Sequence, residues 1–408
     1  METNPRCINL DWLEVFALET GDQHDASYFR RAGFSVQERE YGTRIYNEMF
    51  TLIDAAGHPF IEIRRNPKNP LLLSSATHIR LHNRTCYYHD AAKLMLQFLH
   101  DYDYQFMNIS RIDICLDIVR FDDNTRPRVF MQRYMRGKFS KINQSNIHAH
   151  GTDNWTGRVW NSVSWGSPSS PIGTKFYNKT LELYDAKTDS YGKPYIRQAW
   201  LESGLIDDVN RCTLKGETQE IWRVEFSIRS SVKRWVAIEL NGKAKHYQSI
   251  RNTLEQYDSR EKLLVMFASL AQHYFHFKRY IMEQRKDRCP DRQLFKWQEV
   301  EHVYKVEHPD LLSEEKAPDA LMALIKQLRH YCEAPANYET KKSAETLLHQ
   351  LQQFAKTAEL CKPWTYEKRL AYQQLLARRA DGYLNDTIEA LMNEIKALMH
   401  INDNTIIF

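Results

Sequence analysis

Over residues 44–52, 58–64 and 77–81 apolar and polar side chains alternate with a mostly two-residue period, with turn residues between these stretches. That period belongs to half-buried strands. Asp54-Ala-Ala-Gly57 has the composition of a hairpin loop. Residues 91–102 interrupt the alternation and place Leu94, Leu96, Phe98 and Leu99 for helical contacts. Strands resume at 109–118 and continue to about Arg229. Beyond about Gln248 the period changes, and residues 252–282, 319–332, 340–360 and 385–399 carry helical spacing with few strand signals. Connectors are expected at 285–292, around Pro290, and at 334–337. The pattern predicts an α+β protein: a largely antiparallel sheet domain over residues 1–248, followed by a mainly α-helical C-terminal domain over 249–408.

Three strands have polar faces that carry chemistry. In residues 109–118, Ile112, Ile114, Leu116 and Ile118 share one face, and Arg111, Asp113, Cys115 and Asp117 the other. Carboxylates projecting together suit a hard divalent cation such as Mg²⁺ or Mn²⁺; a solvent-facing strand edge explains them equally well. In residues 163–183 a Gly/Ser/Pro turn leads into a strand that sets Lys175, Tyr177 and Lys179 opposite Phe176, with Glu182 following at a helix start. Flanking ammonium groups would help a phenol ionise, since its ordinary pKa is about 10. The bland alternative is a surface strand. In residues 221–229, Arg223, Glu225 and Ser227 oppose Trp222, Val224, Phe226 and Ile228. A carboxylate in so apolar a strand needs either a metal or a salt bridge to Arg223 or Arg229.

Composition narrows the classes only a little. A net charge of +4 over 408 residues is mildly basic, so any nucleic-acid surface must come from local clustering. One such cluster is 126–141, where Arg128, Arg133, Arg136, Lys138 and Lys141 interleave with Phe130, Tyr134 and Phe139. It reads as phosphate contacts plus base stacking, or as an amphipathic helix with Val129, Phe130 and Tyr134 turned inward. Arg111 and Lys175 join it as candidate DNA contacts. The longest strongly apolar run, 263–268, is too short to cross a bilayer, so no membrane partner is expected. No secretory signal is expected from the opening Met-Glu-Thr-Asn-Pro-Arg, and 7 scattered cysteines argue against a disulfide framework. A reduced, cytoplasmic setting is expected.

Taken in order, Arg111-Ile-Asp113-x-x-x-Asp117, Gly166-Ser167 with Phe176-Tyr177-Asn178-Lys179-x-x-Glu182, and Trp222-Arg223-x-Glu225 resemble the replication initiation factor family. That family takes in the Rep_trans type of plasmid rolling-circle initiators and the MobT-like relaxases of conjugative elements. Leu10-Asp11-Trp12-Leu13 is similar to the family's opening strand, and the resemblance covers about the first three fifths of the chain. It implies that Tyr177 attacks a DNA phosphodiester, stays on the 5′ phosphate and frees a 3′ hydroxyl. Asp113 and Glu225 would then be metal ligands, joined by Asp117 or Glu182, with Lys179 and Arg223 offsetting charge on the phosphate. It also implies a curved sheet and a homodimer. The helical part is left for origin recognition, dimerisation, or contact with a helicase or coupling protein.

Two rival readings stand beside this one. Ile147-His-Ala-His150 with Tyr184-Asp-Ala-Lys187 mimics the signatures of two-histidine nickases, although the flanks 143–146 and 151–154 read as loop. A sheet-based DNA-binding regulator without catalysis would leave the acids structural.

Overall fold

The computed structural model describes residues 4–307, apart from 22–23, 70–72, 144–145, 155–156, 168–169, 185–192, 230–235, 242–243, 251–252, 282–283, 286–287, 298–299 and 301–302. Ten strands form one open sheet. In chain order they are β1 (Arg6–Glu19), β2 (Ser35–Glu38), β3 (Tyr46–Ile53), β4 (Pro59–Pro67) and β5 (Ala76–Leu81). β6 (Tyr104–Ile118), β7 (Ile147–Asn154), β8 (Gly157–Trp165), β9 (Ile172–Asn178) and β10 (Trp222–Arg229) complete it. Across the sheet the order is β2-β3-β4-β5-β1-β6-β10-β9-β8-β7, with antiparallel neighbours. The expected α+β class with a largely antiparallel sheet is therefore the observed one.

Local chemistry explains the turns and ends. Asp54 accepts hydrogen bonds from Ala56 N at 2.9 Å and His58 N at 2.8 Å, and Gly57 takes φ +81°, so the β3–β4 hairpin closes where the sequence predicts. The predicted 91–102 helix is α3 (Ala91–Asp101), preceded by α1 (Ala26–Arg31) and α2 (Asn83–Cys86).

The sheet has an apolar back and a polar front. Phe176, Trp222, Val224 and Phe226 point to the back, where α4 (Pro127–Met135) and α7 (Arg260–Tyr274) pack on them. Phe130 of α4 lies 6.1 Å from Phe176, and Phe267 of α7 lies 4.9 Å from Phe226, between ring centroids. Phe121, Phe275, Phe277 and Phe295 fill the space between them. Each ring so buried contributes about 1.5–3 kcal/mol.

This packing moves the domain boundary. The helix expected over 252–282 is confined to α7, whose N-cap Ser259 accepts from Lys262 N at 3.3 Å. The chain then returns to extended structure at Phe277–Arg279, which pairs with Phe139–Lys141. Core residues from Ile250 to Phe295 thus belong with the sheet, and the compact unit comprises Met1–Asn66 and Ser75–His308. A second unit comprises Pro67–Ser74 and Pro309–Phe408. The helices expected at 319–332, 340–360 and 385–399 lie outside the described residues.

Candidate active site on the polar front of the sheet

In an antiparallel ladder, residues directly opposite each other project from the same face. β10 sets Arg223 opposite Asp117, Glu225 opposite Cys115 and Ser227 opposite Asp113. β9 sets Lys175 opposite Glu225 and Tyr177 opposite Arg223. The polar faces of all three predicted segments therefore coincide on the front.

At the centre, Tyr177 Oη donates to Glu225 Oε2 at 3.0 Å, and Lys175 Nζ donates to Glu225 Oε1 at 2.7 Å. Glu225 is 3% exposed and Asp113 2%, so both carboxylates are largely dry. Arg111 grips Asp113 through Nε at 3.0 Å and NH2 at 2.5 Å. Burial and the nearby charge of Glu225 nevertheless push the Asp113 carboxyl up to about 6, against the pull of Arg111. Tyr177 moves the same way: burial, then Glu225, hold its proton well above the ordinary phenol range. Lysines flanking Tyr177 were expected to ease its ionisation. Lys175 instead spends its charge on Glu225, and Lys179 is a buried residue paired with Glu182, its Nζ 5.6 Å from the Tyr177 ring centre.

The remaining candidates fall elsewhere. Arg223 was expected at the phosphate, yet it is wholly buried. Its Nε and NH2 donate to the two oxygens of Asp117 at 2.6 and 2.7 Å, NH1 to Asp11 at 2.8 Å, and NH2 to the Tyr87 hydroxyl at 2.7 Å. Trp200 Nε1, on α6 (Pro194–Glu202), also donates to Asp117 at 2.7 Å. Asp117 is thus the anchor of a wholly buried ion pair with Arg223, rather than part of the Asp113–Glu225 pair. Glu182, on α5 (Lys179–Tyr184), likewise stands with Lys179. Among the described residues no group of three or more His, Cys, Asp or Glu converges as a ligand cage.

Truncating Arg223 to Met is expected to cost about 3–5 kcal/mol of stability, because Asp117 would be left buried and uncompensated. Denaturant unfolding checks this. Adding Asp117→Asn should recover part of the loss, and a fully additive double variant would contradict the network.

Sequence reasoning missed Asp11, Tyr87 and Trp200. Asp11 sits in a β-bulge, because Leu10 pairs with Ile114 and Trp12 with Asp113, leaving it no partner in β6. Burial would raise its pKa, but Arg223 and then Lys179 hold it well below the carboxylate range.

The basic segment 126–141 lies behind the sheet. α4 buries Phe130, Met131 and Tyr134 against the back, while Val129 is 41% exposed rather than turned inward. Arg128, Arg133, Arg136 and Lys138 are exposed there, on the face opposite Tyr177. Lys141 is buried, donates to the Asn143 carbonyl at 3.0 Å and lies 5.2 Å from the Trp165 ring centre.

The histidine motif is also placed differently than expected. His148 and His150, together with 151–154, lie in strand β7 because β8 supplies their ladder partners. His148 faces Ser164 and His150 faces Ser162, which in turn face Lys175 and Tyr177. Both imidazoles are exposed on the edge strand. Tyr184 ends α5, 39% exposed. No helix among the described residues is long and apolar enough to cross a membrane.

No family model and no curated protein matches the chain. Among solved structures it is similar to a rolling circle replication initiator protein from Geobacillus stearothermophilus, with 13% identity over 71% of this chain and 93% of that one, at a TM-score of 0.41.

Proposed function

We propose that this chain nicks and rejoins DNA through Tyr177 to start rolling-circle replication of a plasmid or mobile element. The observation that carries the reading is the Tyr177–Glu225–Lys175 chain of hydrogen bonds on the polar face. A nucleophile, an acceptor for its proton and a group that orients the acceptor stand in sequence. Because Tyr177 holds its proton tightly, the phenolate is not formed in advance. The proton passes to Glu225 as Oη attacks phosphorus. The Oη–P bond forms, the P–O3′ bond breaks, and O3′ leaves as a hydroxyl after taking up a proton from water. The phosphotyrosine keeps the ester energy, so the reverse step rejoins the strand without ATP.

Asp113 and Glu225 fit Mg²⁺ or Mn²⁺. They are hard oxygen donors on one face, and a cation would share the oxygens that Arg111 holds on Asp113 and that Tyr177 and Lys175 hold on Glu225. Burial, and then Glu225, raises the Asp113 pKa, and a cation would oppose both. Two carboxylates, completed by water and phosphate oxygens, are a usual set for Mg²⁺. Bound there, the cation would neutralise charge on the attacked phosphate. A homodimer and a helicase or coupling protein as partner belong to the same proposal.

Incubation of supercoiled origin DNA with Mg²⁺ or Mn²⁺, followed by protease and electrophoresis, should yield open circles and a 5′-linked peptide. Binding without any strand cleavage would support the non-catalytic regulator instead. Cleavage confined to a transfer origin would make the chain a conjugative relaxase.

A further inference from the structure

We propose that Arg80 and Arg111, brought together around the Trp12 indole on the polar front of the sheet, bind phosphates of the single DNA strand that leads to Tyr177. The inference rests on Tyr177 acting on DNA, and it moves the strand's path away from the basic helix α4 behind the sheet. β1 lies between β5 and β6, and its Glu14 faces Arg80 on one side and Arg111 on the other. One row along, Trp12 faces Asp113. The guanidinium carbons of Arg80 and Arg111 lie 3.6 and 4.4 Å from the Trp12 ring centre. The indole therefore fixes two cations that arrive from strands on its two sides.

Arg80 is the under-compensated member. Its ion pair with Glu62 is long at 3.8 Å, and Glu62 is engaged by Arg64 at 2.5 Å. Its NH2 donates to Asn83 Oδ1 at 3.2 Å, and its buried Nε has no hydrogen-bond partner among the described residues. Burial lowers its pKa in spite of Glu62, and Arg64 adds to the fall. Glu14, which lies between the two arginines in the ladder, is occupied by Arg64 at 3.3 Å, His78 at 3.1 Å and the Trp12 Nε1 donor at 3.2 Å. Arg80 thus faces Glu14 and Glu62 in the ladder, but Arg64 holds both of them, and a desolvated guanidinium that shares its carboxylates suits an incoming phosphate. Arg111, 35% exposed and already on Asp113, carries the row to the edge of the Tyr177 site.

The test uses the full chain and a fluorescein-labelled oligothymidylate, with anisotropy read over a range of salt. Arg80→Met keeps the stem on Trp12 and removes the charge. It should weaken binding about tenfold and lower the slope of log affinity against log salt by about one. Arg80→Lys should restore the slope, which a loss of packing alone would not predict. Equal affinity and slope for Arg80→Met and the parent, or no binding by the parent, would overturn the inference. If the parent still forms the Tyr177 adduct in either case, the nicking proposal survives on its own.

Discussion

Tyr177→Phe is expected to remain folded and to bind DNA while forming no covalent adduct. Only the hydroxyl is removed. The ring keeps its place in β9, and Glu225 keeps Lys175 at 2.7 Å. Losing the 3.0 Å hydrogen bond to Glu225 should change stability by about 1–2 kcal/mol at most. Adduct formation should fall on the order of a thousandfold or more, because the attacking phenolic oxygen itself is gone. Denaturing electrophoresis of end-labelled DNA measures the adduct, and a thermal melt measures the fold. Tyr184→Phe is the matched control, at an exposed position on α5 where the hydroxyl should be dispensable. An adduct that persists in Tyr177→Phe and disappears in Tyr184→Phe would transfer the chemistry to Tyr184 and make His148 and His150 the metal candidates.

Much of this site was legible because strand alternation is a local property. Arg111, Asp113, Lys175, Tyr177 and Glu225 could each be assigned to a polar face from their own segment. Register is not local. Nothing in residues 109–118 says that Asp117 rather than Asp113 will meet Arg223, yet that pairing turns one acid into a buried anchor and leaves the other beside Glu225.

The Asp11 bulge did leave a trace. Among the buried apolar residues of β1, Ile8 and Leu10 and then Leu13, Val15 and Ala17 form one series whose parity changes between Leu10 and Leu13, while Cys7 and Leu18 are buried outside it. A change of parity inside one strand requires an extra residue, which puts Asp11 and Trp12 on the same face. The basic helix misled for a related reason. Its spacing identifies Phe130 and Tyr134 as the buried stripe, but periodicity does not say which side of a sheet a helix will cover. The late segment misled through length: helical spacing over 252–282 passes through Phe275 and Phe277, which the core of the sheet claims.

Asp113→Asn should make the protein more stable at neutral pH while impairing its chemistry. The Asp113 carboxyl, ordinarily near 3.8, is raised to about 6 in the fold, by burial and then by Glu225. A raised acid binds its proton more tightly when folded, so its favourable contribution is full below about 3.8 and is lost as pH climbs through about 6. Each raised unit costs the ionised form about 1.4 kcal/mol, so the charge is destabilising at neutral pH. That net shift already contains the pull of Arg111. Asparagine resembles the protonated acid in shape and carries no charge, and Arg111, 35% exposed, can turn to water. Urea unfolding should therefore show the variant more stable than the parent at pH above 7 and close to it near pH 4. Millimolar Mg²⁺ or Mn²⁺ should narrow the neutral-pH gap by stabilising the parent, since a cation bound only to the folded state adds to its stability. A variant less stable than the parent at neutral pH would mean that Arg111 and Lys175 already neutralise the pair. The case for a cation at Asp113 and Glu225 would then fall with it.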